Sequence, residues 1–333
     1  MNVFRTLHPQ TLRILALAAV LALTVLFFTT QIDNYFSPRM LNRIATSAAV
    51  ILPIAIGQAL VVMTRNIDLS VGSVVGITAY LVGDYLGSHP DINPFLAFSL
   101  FIVLGAFCGA INGVLVAYGR VPSIIVTLGT LALYRTFLVE YSGSRTITTD
   151  SLPKWLVDLP QATAFTIGSF EVRVMVVMAL ASAIVFWIAL SRLRVARKLY
   201  AVGSNPDAAV MAGINSARVV FVAFILSGAL AGLAGFIFLS KFGNITVVAG
   251  LGFELKSVAA VVVGGVNIFG GSGSIVGVIL GTVLVDTIDN SLTRWAIVSE
   301  FWRDALLGML IMIAVAADTF MTRSFGKLKG KTP

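Results

Sequence analysis

The sequence predicts an all-α polytopic membrane protein of about ten transmembrane helices, within a range of roughly eight to ten. Three observations predict it. Of the 333 residues, 58% are hydrophobic and only 11% are charged, against roughly 25% charged in a soluble domain. The apolar residues come in runs of about 20, the length a helix needs to cross the hydrocarbon core. The basic residues, which give a net charge of +8, lie in loops and tails beside those runs. That is the pattern of membrane orientation, so the expected contact is the lipid bilayer and not nucleic acid.

In chain order the spans fall near 11–30, 44–64, 69–87, 94–118 and 121–141. A second set falls near 172–191, 219–240, 254–269, 272–290 and 300–320. The first run starts beside Arg5 and is followed by Thr29, Thr30 and Gln31, with no small-residue cleavage site, so it is expected to be an uncleaved span. The tight joins at 64–69, 118–121 and 269–272 are where a helix could be broken or cross only half the bilayer. Lys and Arg cluster at 192–198 and 323–331, whereas on the other side they are scattered among acidic residues. This places both termini and the 192–218 loop in the cytoplasm, although Arg39 and Arg43 count against it. The 142–171 loop is then external, with Pro153, Trp155 and Pro160, and is too short to be a domain.

Glycines mark the packing faces. Gly105, Gly109 and Gly113 recur every fourth residue, as do Gly273, Gly277 and Gly281. That spacing lines one helix face and lets another backbone approach closely. The two spans run in opposite directions, which fits a repeat of two inverted halves, an arrangement common in transporters.

Charge inside a span costs roughly 2.5–3.5 kcal/mol and needs a reason. Arg135 and Glu140 lie in the fifth span, and Asp286 and Asp289 are one turn apart in the ninth. That aspartate pair is either a cation or proton site, or lies near the outer end of its span, solvated or paired with Arg294. Asn66, Asp68 and Ser70 beside a helix start, with Asn112 and Thr127, are candidates to line a substrate path. The plainer readings are that Asn112 caps a helix or pairs between helices, and that Thr127 bonds back to its own helix. The one cysteine, Cys108, and the distant His8 and His89 give no metal site. There is no G-x-x-x-x-G-K-[ST], H-E-x-x-H or G-x-S-x-G, so no catalytic group and no ATP cradle is expected in this chain.

The longest basic interruption is RLRVARKLYAVGSNPDAAVMAGIN at 192–215. Ser204 or Asn205 can cap a short helix whose first position is Pro206. Asp207 suits the positive end of its dipole, and Gly213 suits its left-handed end. So short a helix is not stable alone, so it is expected to rest on its own spans or on a partner.

NIDLSVGSVVG at 66–76, NGVLVAYGRVPSIIVTLGTL at 112–131, YAVGSNPDAAVMAGIN at 200–215 and AAVVVGGVNIFGGSGSIVGVILG at 259–281 occur in that order. Together they resemble the permease subunits of bacterial ATP-binding-cassette sugar importers, the ribose-type branch of the branched-chain amino acid permease family. Arg65-Asn66 departs from it, since many members carry two glycines there. The resemblance implies one permease domain over 1–333, with 192–218 as the loop that couples to the ATPase and 142–171 as a periplasmic loop. Gly203, Ser204, Asn205, Pro206, Asp207, Met211 and Gly213 would form the ATPase contact. It further implies the bacterial inner membrane, a second permease chain (identical or related) and a periplasmic or extracellular binding protein. The ATPase partner would use ATP and Mg, and this chain would bind no cofactor. The cargo would be a monosaccharide or small polyol; rhamnose, ribose, galactose-type sugars and furanosyl signalling molecules stay open. The alternative is an ion-coupled secondary transporter that works without an ATPase, with Asp286 and Asp289 as its ion site.

Overall fold

Several helices begin at a capping residue, three of them with a proline at the first position: Pro38, Pro94 and Pro206. Ser37 accepts from the Met40 N–H ahead of Pro38, and Asn93 accepts from the Phe95 N–H ahead of Pro94. These side chains satisfy backbone donors that the helix itself leaves open. In a computed structural model, residues 9–295 are described, together with the separate positions 302, 305, 306, 308, 309 and 312. The expected span at 300–320 lies outside the described residues apart from those positions.

The helices are α1 (Pro9–Gln31), α2 (Pro38–Met63), α3 (Val71–Ser88), α4 (Pro94–Gly113) and α5 (Ser123–Ser142). They continue as α6 (Lys154–Asp158), α7 (Val174–Arg192), α8 (Arg194–Ser204), α9 (Pro206–Met211), α10 (Ser216–Phe242), α11 (Phe253–Val263) and α12 (Ile275–Trp295). A π-helical turn, Val114–Tyr118, extends α4. Among the described residues a small hairpin of β1 (Thr163–Ile167) and β2 (Phe170–Arg173) is the exception in an all-α polytopic membrane protein. Among the described residues, seven helices are long and apolar enough to cross a bilayer: α1, α2, α4 with its extension, α5, α7, α10 and α12.

Two expected spans are corrected. The segment at 254–269 is helical only as α11, 11 residues, or about 16 Å, half of a ~30 Å core. It stops because Gly264 and Gly265 follow, with Gly265 at φ 80°. The span at 69–87 begins later, at Val71, after a non-helical stretch. That stretch, 64–70, is a partly buried discontinuity; another non-helical stretch, partly exposed, runs from Gly243 to Gly252.

α10 is the centre of the bundle and packs against α2, α3 and α4. Its small residues Gly228, Ala231, Gly232 and Ala234 let these neighbours in. A Cβ on Gly105 would overlap the Gly228 carbonyl, and one on Gly109 the Phe224 carbonyl. Gly113 lies against Phe221. On the far side, Gly277 and Gly281 meet Gly264 and the Ala260 carbonyl of α11, while Gly273 meets Met63 and Val266. The two glycine rows therefore have different partners. The exposed side chains of α1, α5 and α7, such as Leu23, Leu133 and Val185, are apolar and suit contact with lipid.

The 142–171 loop folds onto the body. Leu156 is buried, Trp155 stacks on Phe236, and Ile147 bridges to Ile245.

Candidate functional site

The face opposite that loop carries α8 and α9. α8 forms because Ala196, Leu199, Tyr200 and Gly203 fall on one side of a helix; Leu199 and Gly203 are buried, and Arg194, Arg197 and Lys198 point outward. α9 is capped at both ends. Asn205, not Ser204, is its N-cap, accepting from the Ala208 N–H at 3.0 Å. At the other end Gly213 takes φ 77°, its N–H bonds the Val210 carbonyl, and the Ile214 N–H bonds the Ala209 carbonyl. That closes the helix with a left-handed turn and satisfies its last acceptors. Ala209 turns inward, while Val210 and Met211 are 60% and 91% exposed.

The underside of the loop is held by backbone contact. A Cβ on Gly203 would overlap the Met63 carbonyl. The Gly271 N–H also bonds that carbonyl, at 3.0 Å. The Tyr200 hydroxyl donates to the Gly273 carbonyl at 3.3 Å, and burial pushes its pKa up. Gly203 is thus buried against its own chain. Ser204, Asn205, Asp207, Met211 and Gly213 are exposed, and Pro206 is half-buried.

The 64–70 break lies directly behind this contact and is closed by side chains. Asp68, 1% exposed, accepts from the Ser70 N–H at 3.0 Å and the Ser70 hydroxyl at 2.7 Å. Its second oxygen accepts from the Ser227 hydroxyl of α10 at 3.4 Å. The Asn112 amide donates to the Ser70 hydroxyl at 2.8 Å. The Ile67 N–H donates to Ser123 Oγ, and Thr127 Oγ donates to the Ser123 carbonyl. With its side-chain amide turned, Gln58 bonds both the N–H and the carbonyl of Asp68. Four of the expected path residues, Asp68, Ser70, Asn112 and Thr127, are therefore buried and bonded within the protein. Asn66 differs: it borders a cavity of about 660 Å³ on the loop face, with Thr64, Arg120, Pro206, Val210 and Asn215.

This geometry meets a family that matches most of the chain. Branched-chain amino acid transport system / permease component is the description of the family whose pattern fits residues 40–315. The chain belongs to that permease family. It is similar to the autoinducer 2 import system permease protein LsrC of Escherichia coli O9:H4 (strain HS), 35% identical over 307 residues, 92% of this chain and 86% of the relative. It is also similar to the protein of that name from Salmonella paratyphi B, 36% identical over 306 residues, 90% of this chain and 84% of the relative. No solved structure matches it.

The charged residues inside the permease have structural partners. Arg135 donates to the Val247 and Ala249 carbonyls at 2.7 and 2.8 Å, closing acceptors of the 243–252 discontinuity. Asp289 pairs with Lys256 at 2.7 Å, a correction to the expected answer from Arg294. Arg294 instead donates to the Asp33 carbonyl. Asp286 is not solvated: it is buried and accepts from Ser47 at 3.0 Å.

Sequence reasoning missed α8, Gly228 and Gly232 as the partners of the α4 glycines, and the reach of Arg65 to the loop. The first two had signals: apolar positions 196, 199, 200 and 203, and glycines four apart at 228 and 232. Arg65 had none, because its target is 138 residues away.

Proposed function

We propose that this permease is the membrane subunit of an ATP-driven importer in the bacterial inner membrane, with α9 as the element that engages a separate ATPase. The observation that carries the proposal is α9 itself. It is six residues long, capped at both ends, and presents Val210 and Met211 outward from the face it rests on. A helix that short is stable only when packed, and two large apolar side chains left in water call for a partner. ATP and Mg would be used by that partner, because this sequence carries no G-x-x-x-x-G-K-[ST] motif. A second permease chain and an external binding protein complete the assembly. The cargo is a monosaccharide or similar small polyol, and autoinducer 2, named for the relatives, is the first to test.

The proposal includes ten membrane segments in two inverted halves with both termini cytoplasmic. It counts α3 and α11 as segments and 300–320 as the tenth. The clustering of Arg192, Arg194, Arg197 and Lys198 on the α9 face supports that orientation.

The test is to purify the chain from its native membrane in mild detergent, identify what accompanies it and assay ATP hydrolysis. The expected result is a P-loop subunit with ATPase activity, lost when Asp207→Lys and Gly213→Pro are combined. A chain that comes out alone and drives uptake in ATP-free vesicles under an ion gradient would overturn the proposal.

A further inference from the structure

Arg65 is unusual in both backbone and side chain. It lies just past the end of α2 with φ 67°, a left-handed conformation disfavoured for any residue with a Cβ. The Arg65 and Asn66 N–H groups bond back to the Val62 and Val61 carbonyls, so the turn itself asks only for a residue that tolerates this φ. Glycine would meet that need without strain.

The side chain shows what an arginine adds. Its Nε donates to the Gly203 carbonyl at 2.5 Å and its terminal nitrogen to the Ser204 carbonyl at 2.6 Å. These are the last two residues of α8, where carbonyls lack partners within the helix and the dipole favours a cation. A planar guanidinium can hold two carbonyls at once, which the point charge of a lysine does poorly. Gly270, at φ 82°, lies against the arginine stem so closely that a Cβ there would meet Arg65 Cγ at 2.6 Å. Arg65 is therefore gripped by the loop on one side. On the other its backbone leads into Asn66–Ser70, which is tied to α5 through Ser123, to α4 through Asn112 and to α10 through Ser227.

We infer that Arg65 is a positioning residue that carries movement of the α8–α9 loop into the buried break between α2 and α3. A loop displaced by a partner pulls on two carbonyl bonds, and those bonds end on the chain that enters the break. The inference rests on the reading of α9 as the ATPase contact.

The test uses the co-purified complex with its ATPase and needs no knowledge of the cargo. Hydrogen exchange is measured over 64–70 and over 194–211, without nucleotide and with the ATPase trapped by ATP and vanadate. In the parent, trapping should change exchange in both segments by about fivefold or more. In Arg65→Gly, which also relieves the backbone strain, the response at 194–211 should persist and that at 64–70 should fall below about twofold. Arg65→Lys should restore part of it. An arginine that served only to stabilise the fold would alter exchange equally in both nucleotide states. An unchanged response at 64–70 in Arg65→Gly would overturn the inference alone. So would failure of Arg65→Gly to assemble with the ATPase, since that would make Arg65 a folding residue. A parent whose 194–211 segment ignores the nucleotide would overturn the ATPase reading itself.

Discussion

The seam between α4 and α10 and the break at 64–70 both close onto the centre of the bundle, by opposite means. The seam has no side chain to contribute at its closest points: Gly105 and Gly109 touch the backbone of Gly228 and Phe224 directly. The break is closed almost entirely by side chains, with Asp68, Ser70, Asn112 and Ser227 supplying what a continuous helix would have supplied through its backbone. Within a membrane there is little hydrophobic drive between helices, so the seam depends on dispersion at close approach. The break depends on pairing its buried polar groups with one another, Asn112 Oδ1 being the exception, because an unpaired polar group is costly away from water. One region tolerates no added atom and the other no lost one.

The largest effect should come from adding atoms to the seam. In Gly228→Leu the Cβ alone would overlap the Gly105 carbonyl. Backbone cannot retreat as a flexible side chain would, so the cost should reach about 3 kcal/mol or more, the upper end for overpacking. The expected outcome is loss of monodisperse protein in detergent. Gly129→Ala in α5 is the control: nothing lies within 4 Å of its added methyl. There the change should be neutral or stabilising by about 0.5–1 kcal/mol, read as a higher midpoint of thermal unfolding. If both variants behave alike, the seam is not packed as described.

Removing atoms from the break comes next. Asp68→Leu strips the acceptor from the Ser70 N–H and from the Ser70 and Ser227 hydroxyls. The cost should be about 2–3 kcal/mol. Asp68→Asn keeps one acceptor oxygen and should cost roughly half that. Equal losses in the two variants would mean that charge, and not hydrogen bonding, is what the break requires.

The contrast also sorts what was legible in the sequence. Apolar runs revealed the long helices because hydropathy is a local property of a segment. The caps at Asn205 and Gly213 were legible for the same reason: each acts within four residues of itself. The length of α11 was not, since Val266, Ile268 and Phe269 continue the apolar pattern after the helix has ended at Gly264. The glycine rows announced close approach without naming the partner. The polar candidates announced a special region at 66–70, and the structure gives Asp68 and Ser70 internal bonds there. Which neighbours satisfy them depends on Asn112, Ser123 and Ser227, residues far along the chain that only the fold brings together.

A third, intermediate effect tests an ionic contact against both regions. Lys256 and Asp289 pair at 2.7 Å with side chains 19% and 11% exposed. Breaking such a pair by Lys256→Met leaves a partly buried carboxylate, which water can still reach, so about 1–2 kcal/mol should be lost. Adding Asp289→Leu should recover part of it, because Asp289 has a further contact besides Lys256. A double variant as unstable as the sum of the two singles would show that the ions act separately.

The smallest effect on stability should fall at α9, where the proposed ATPase contact would make the effect on function greatest. Gly213 has nothing within 4 Å of a Cβ, so its glycine is not required by space. It is required by φ 77°, which an alanine adopts at a cost of about 1–2 kcal/mol. That cost is confined to a surface loop that can open without unfolding the bundle. Gly213→Ala should therefore leave the unfolding midpoint almost unmoved while loosening the bonds from the Gly213 and Ile214 N–H groups that close α9. Hydrogen exchange at 208–214 should rise several-fold, and the amount of ATPase recovered with the permease should fall in step. The seam and the break fail by unfolding, whereas α9 fails by losing its shape on an intact body. A Gly213→Ala protein that exchanges faster at α9 yet binds its ATPase as tightly as the parent would show that the partner reads the exposed Val210 and Met211 side chains, and not the preformed helix.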